Sequence, residues 1–180
     1  SVASFTTNYN GEFVSDWNKC KEYLEHRCSD IYKIIDSMTE NNNIFVGLIT
    51  NVEIDDLSET GLEVLKKSLC SEKASKMGEL YDLSCKLTYI YKSQYYINIT
   101  VQNLREYSTK QYSNGRTCIT GERKHTVSVS IDINDRYAAN NDVNYKSKKE
   151  AFDEILYITS NIIDNKLENL VRKGEFIYDE

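Results

Sequence analysis

The strongest constraint in this chain is a pair of alternating segments set either side of Asn114-Gly115. Ile97, Ile99 and Val101 alternate with Asn98, Thr100 and Gln102. On the other side, Val127, Val129, Ile131 and Ile133 alternate with Ser128, Ser130 and Asp132. A period of two with one apolar and one polar face marks antiparallel strands that cover a core on one side. Asn-Gly is the strongest short signal for a turn between such strands, because a type I′ turn needs positive φ at both central residues. Tyr95–Ile133 is therefore expected to form one long β-hairpin.

Register sharpens this expectation. A two-residue turn at Asn114-Gly115 pairs residues whose numbers sum to 229, which sets Val101 against Ser128. Directly opposed residues share a face, so the two apolar sets meet only when the sum is even. One inserted residue makes it 230 and pairs Val101 with Val129, Ile99 with Ile131 and Ile97 with Ile133. Gly121 is the expected site of that β-bulge, since a G1-type bulge places glycine in the left-handed region. The alternative is a longer, irregular loop without a bulge.

The rest of the sequence supplies helices to cover the apolar face. Trp17, Cys20, Leu24, Cys28, Ile31, Ile35 and Met38 recur at spacings of three and four, which predicts a helix over about 16–38, capped by Ser15 and stopped by Asn41–Asn43. A weak strand is expected ahead of it. Ile44–Ile49 reads as a buried strand extending towards Ile54. Asp56 or Ser58 is expected to cap a second helical region over about 58–84. It carries Leu62, Leu65 and Leu69, then Met77, Leu80 and Tyr81, and Gly78 weakens its second half. Leu87, Tyr89 and Tyr91 alternate as a strand would. Ser147-x-x-Glu150 has the form of a capping box for a last helix over about 147–173, stopped by Gly174, with a terminal strand at Phe176–Tyr178. Together these predict a single α+β domain over 1–180. It is a two-layer sandwich in which amphipathic helices cover a mostly antiparallel sheet. Such a scaffold licenses no function by itself.

Composition limits the chemistry. At 40% hydrophobic and 28% charged, the 180 residues suit a folded globular chain. No apolar run is long enough to span a membrane. The absence of proline beside many Asn, Ile, Lys and Tyr reflects an AT-rich coding sequence. Cys20, Cys28, Cys70, Cys85 and Cys118 form no C-x-x-C, and only His26 and His125 could join them, so no zinc site is expected. Neither a metal nor any other cofactor is implied. In a secreted protein these cysteines would give two disulfides and one odd cysteine able to join another chain. The sequon Asn98-Ile99-Thr100, on the polar face of the hairpin, gives weak support for secretion; the start at Ser1 fits either a removed leader or a trimmed sequence. Cytoplasmic location is the alternative. Asp132–Asp135 with Asn140–Asp142 lacks the glycine and glutamate of a calcium loop and reads as a polar connection. The phosphate-binding loop, serine-hydrolase elbow and zinc-protease motifs are absent from the sequence.

One working surface remains. Between Arg105 and His125 stand Arg105, Lys110, Arg116, Arg123 and Lys124, against only Glu106 and Glu122. The hairpin is thus net +3, and of the chain's −6 the remainder carries −9. Tyr107 and Tyr112 lie among these charges, and Tyr89, Tyr91, Tyr95, Tyr96 and Tyr137 lie near in sequence. A basic, aromatic ribbon suits an acidic protein partner or a phosphate backbone. The first expectation is a non-enzymatic interaction protein, secreted or pathogen-encoded, acting as a virulence factor or toxin. It would bind a macromolecular partner through Arg105, Tyr107, Lys110, Tyr112, Arg116, Arg123 and Lys124. The partner is expected to be a protein, with nucleic acid as the alternative through the hairpin tip. A second expectation is a small secreted toxin that cleaves RNA without metal, using His125, Glu122 and Arg123 as acid, base and phosphorane stabiliser. In regular strand geometry Glu122 and Lys124 share one side while Arg123 and His125 share the other, which opposes that constellation. A third is a nucleic-acid-binding module without catalysis.

Overall fold

The computed structural model describes residues 16–37, 44–70 and 78–175. Helix α1 (Trp17–Ser37) leads to strand β1 (Gly47–Ile54), helix α2 (Gly61–Leu69) and strand β2 (Ser84–Tyr91). Strands β3 (Tyr95–Gln111) and β4 (Thr117–Asn134) form the long hairpin. The short helix α3 (Arg136–Asn141), helix α4 (Lys149–Asn161), a π-helical turn at Ile162–Lys166 and helix α5 (Leu167–Lys173) complete the chain. The fold is α+β, with an open antiparallel sheet in the order β1-β4-β3-β2.

Alternation builds the core. Ile97 faces Ile133, Ile99 faces Ile131 and Val101 faces Val129, the register expected from the sequence, and all six are almost fully buried. Leu48, Val52 and Ile54 extend the apolar face through β1, and Leu87, Tyr89 and Tyr91 extend it through β2. Leu65, Ile155, Ile158, Ile162 and Leu170 descend on it from the helices. Each buried aliphatic side chain contributes about 1.5–3 kcal/mol of hydrophobic stabilisation. The spacing from Ile162 to Leu167 is five residues, too long for one α-helical turn. The π turn absorbs the surplus and keeps both residues buried. Helix α1 packs outside this layer, with Leu24 and Tyr32 against Phe152 and Leu156 of α4.

Several expectations give way. The hairpin turn has three residues rather than two: Tyr112 N donates to Arg116 O (2.8 Å) and Gly115 N to Tyr112 O (3.0 Å). Only Gly115 has positive φ, while Asn114 accepts from Arg116 N through its side chain. Such a loop sets the distal register two residues away from that of the core, so two insertions are needed. They are Thr120 and Arg123, unpaired in β4; Gly121 lies between them, pairs with Ser108 and keeps ordinary φ. Among the described residues, the expected helix over 58–84 is helical only at 61–69. Thr60, rather than Asp56 or Ser58, caps it by accepting from Glu63 N, and Gly78 at φ 137° together with irregular backbone to Leu83 excludes a helix there. Ile44–Ile49 is no buried strand: β1 is an edge strand, with Ile44 and Ile49 exposed. The capping box does not form either. Lys148 occupies the cap position without a side-chain bond, and Ser147 is buried before it. Gly174, at φ 69°, does end α5. The Ser15 cap, Met38, the Asn41–Asn43 stop, Met77, the weak first strand and the Phe176–Tyr178 strand lie outside the described residues.

Candidate functional site at the base of a protruding arm

β3 and β4 contain 17 and 18 residues, whereas β1 and β2 contain 8 each. The flanking strands stop at Val127 and Gln102, so the two central strands continue as a ribbon of their own. At its base the ribbon is held from both sides. Asn103 N donates to Leu83 O, and Leu83 N to the Asn103 side chain (2.7 Å). Helix α2 approaches through Gly61, where a Cβ would lie 2.2 Å from Thr126 O, so only glycine lets this helix start so close to β4.

That contact assembles a cluster. His125 stands opposite Arg105, and its imidazole is only 8% exposed. Leu62 N donates to His125 Nε2 (3.3 Å), and Nδ1 lies 3.3 Å from Glu122 Oε1. Because Nε2 accepts, the neutral ring carries its proton on Nδ1, the nitrogen that lies beside Glu122. Arg105 donates to Tyr81 O (2.7 Å), stacks over the Tyr81 ring and lies 3.7 Å from Glu122 Oε2. The Tyr81 and Tyr107 hydroxyls are 2.8 Å apart, and this hydrogen bond raises the Tyr81 phenol pKa. An open hollow of about 400 Å³ lies beside these groups, bounded also by Thr60, Glu63 and Lys66.

The bulges explain the convergence. Regular alternation would separate Glu122 from His125. Arg123, left out of the ladder, restores them to one face and itself turns out to solvent, with Arg105 in the position expected of it. Of the acid, base and cation considered for RNA cleavage, the structure thus joins two and replaces the third. Both imidazole nitrogens are occupied by protein partners, which suits a structural clasp better than proton transfer to a substrate. Tyr81 was missed in the sequence because its contact depends on the irregular segment before β2, which no periodicity reveals.

The basic residues divide into two groups. Arg105 is held in the cluster. Lys124 bonds Glu53 (2.7 Å) and lies 3.7 Å from Asp55; the Lys124 hydrogen bond, then that from Thr126, lowers the Glu53 pKa. Lys110, Arg116 and Arg123 are exposed on the arm, with no ion pair among the described residues. Lys110 sits over the ring of Tyr112, which is 47% exposed. Of the neighbouring tyrosines, Tyr95 is buried, Tyr89 and Tyr91 pack on the core, and Tyr96 and Tyr137, both half-buried, stack edge to face.

Elsewhere, Asp135 is fully buried, accepting from Val46 N (2.7 Å) and the Tyr145 hydroxyl (2.8 Å). Burial, then the bond to Asp135, pushes Tyr145 up to about 12. Among the described residues no group of three His, Cys, Asp or Glu is placed to hold a metal. Asn98 lies on the polar face as expected, but its amide already spans Thr88 and Asp132. No disulfide joins any two of the five cysteines in this structure. Among the described residues no helix is long and apolar enough to cross a membrane. Comparisons with protein families, characterised proteins and solved structures find no match for this chain.

Proposed function

We propose that this is a non-enzymatic recognition protein that engages a macromolecular partner through the β3–β4 arm. One observation carries the reading: an exposed two-stranded ribbon, residues 108–121, projects beyond every flanking strand and helix among the described residues. A ribbon of two strands buries little apolar surface and is marginal on its own. Here it is clamped at its base by α2, by Leu83 and by the Arg105–Glu122–His125 cluster. Such clamping gives a direction and a rigid root to a segment that contributes nothing to the core. Recognition elements are characteristically presented in this way, on a mobile segment positioned by a rigid scaffold. The secreted setting remains part of the proposal only if oxidation of the cysteines accompanies it.

The experiment replaces Ser108–Gly121 by a two-residue Asn-Gly turn. Wild type and shortened chain are used as bait in cell extract, with and without nuclease. The shortened chain should keep its melting temperature within a few degrees and lose the partners of the wild type. Retention of every partner by a folded, shortened chain would refute the reading.

A second reading, metal-independent cleavage of RNA, rests on the Glu122–His125 contact and the nearby Arg105. Incubation with total RNA in EDTA tests it: cleavage by wild type that His125→Asn abolishes would replace the first reading.

A further inference from the structure

We infer that the partner of the arm is duplex DNA, entered through the major groove; this rests on the arm being the recognition element. From Tyr107 to Gly121 the sequence contains no acidic residue. Its charges are Lys110 and Arg116, joined at the proximal end by Arg123. Between them stand exposed hydroxyl and amide side chains: Thr109, Gln111, Ser113, Asn114 and Thr117. Arg, Lys, Ser, Thr, Asn and Gln are the side chains that bond phosphate oxygens and base edges. A protein partner would instead demand a buried apolar and aromatic centre. The distal arm offers only Tyr112 and Ile119 as large apolar side chains, on a ribbon otherwise polar.

The acidic body does not oppose this. From Ser108 the strand rises roughly 10 Å to Gln111, at about 3.3 Å per residue, and the three-residue turn lies beyond it. The Debye length at physiological ionic strength is about 8 Å, so Arg116 beside the turn acts on a polyanion largely independently of the body, with Lys110 and Arg123 nearer the root. Shape agrees as well. The major groove of B-form DNA is about 12 Å wide and admits a two-stranded β-ribbon, whereas the deep, narrow groove of A-form RNA does not. At the root, Glu122 is turned to Arg105 and His125, and the exposed Glu106 stands opposite Lys124.

Three cations imply a definite salt response. Neutralising three phosphates gives a slope of about −2.7 in log K against log salt, a loss of roughly 40-fold between 50 and 200 mM. The test is fluorescence anisotropy of a labelled B-form DNA duplex titrated with the full chain. Wild type should bind with micromolar affinity and that slope. Each of Lys110→Gln, Arg116→Gln and Arg123→Gln should reduce the slope by about 0.9, and the triple variant should abolish binding at unchanged melting temperature. No binding, undiminished binding by the triple variant, or equal binding to duplex RNA or single strands would overturn the inference. Should it fall while the shortened chain still loses proteins captured from nuclease-treated extract, the arm recognises an acidic protein and the proposed function stands. If the shortened chain loses nothing, both fall.

Discussion

The base and the tip of one hairpin obey different rules. At the base, the Ile97–Ile133, Ile99–Ile131 and Val101–Val129 pairs lie under the helices. A slip of one residue there would turn every buried side chain into solvent and every hydroxyl into the core, so burial fixes the register. At the tip no such penalty exists, and turn chemistry decides. The two solutions disagree by two residues, and the disagreement is absorbed by Thr120 and Arg123. The seam is where Glu122, His125 and Arg105 meet. A bulge that reconciles two registers has thereby brought together side chains that regular alternation would keep apart.

The largest contrast should be in stability. Ile131→Ala removes a fully buried side chain from the base and should cost about 2–5 kcal/mol. Ile119→Ala, on a side chain 60% exposed in the arm, should change stability by less than about 0.5 kcal/mol. Urea unfolding of both variants measures the difference. Comparable losses would mean that the arm is packed against something and is not a free ribbon.

Glycines sharpen the same comparison at a smaller scale. Gly61→Ala drives a Cβ into Thr126 O at the clamp and should cost about 1–3 kcal/mol, as overpacking does. Gly121→Val meets nothing within 4 Å at ordinary φ, and valine suits a strand. It should be neutral or stabilise by a few tenths of a kcal/mol, the reverse of what a left-handed bulge at Gly121 would dictate. Thermal melts decide. A large loss with Gly121→Val would restore the single-bulge register.

These contrasts also show what could be read from residues alone. The parity of the core register was legible because Val127, Val129, Ile131 and Ile133 alternate without a break and require an even sum; its value of 230 was reached from a two-residue turn and one insertion, where the structure uses a three-residue turn and two. The helix ending at Gly174 was legible from its apolar stripe and its glycine. The turn was not, because Asn114-Gly115 serves a two-residue loop and a three-residue loop equally well; here Asn114 works through its side chain rather than its φ. The site was half legible. His125 and Glu122 were named from their chemistry, but their meeting depends on Arg123 leaving the ladder, which no local pattern encodes. Arg105 and Lys124 carry the same charge as Lys110 and Arg116. Only the three-dimensional placement of Tyr81, Glu53 and Asp55 separates bound cations from exposed ones.

Thiol chemistry gives the gentlest test, since it perturbs nothing. Cys118 lies exposed on the arm, while Cys28 is half-buried between α1 and α4. Burial, with Asp153 nearby, pushes the Cys28 thiol up to about 11, and burial raises Cys20 as well. The thiolate is the reactive form, so at pH 8 Cys28 has only about one molecule in a thousand in that form, far below an ordinary cysteine of pKa 8.5. In native protein a disulfide reagent should therefore modify Cys118 first and Cys28 last, as peptide mapping at successive times would show. Raising the pH towards 11 should accelerate Cys28 steeply, as its thiolate fraction rises towards one half. In denaturant all five cysteines should react. A count of three or one in freshly isolated material would establish a disulfide and with it an oxidising compartment. A count of five with Cys118 slow in the native state would mean that the arm is covered, most directly by a second chain or a retained partner.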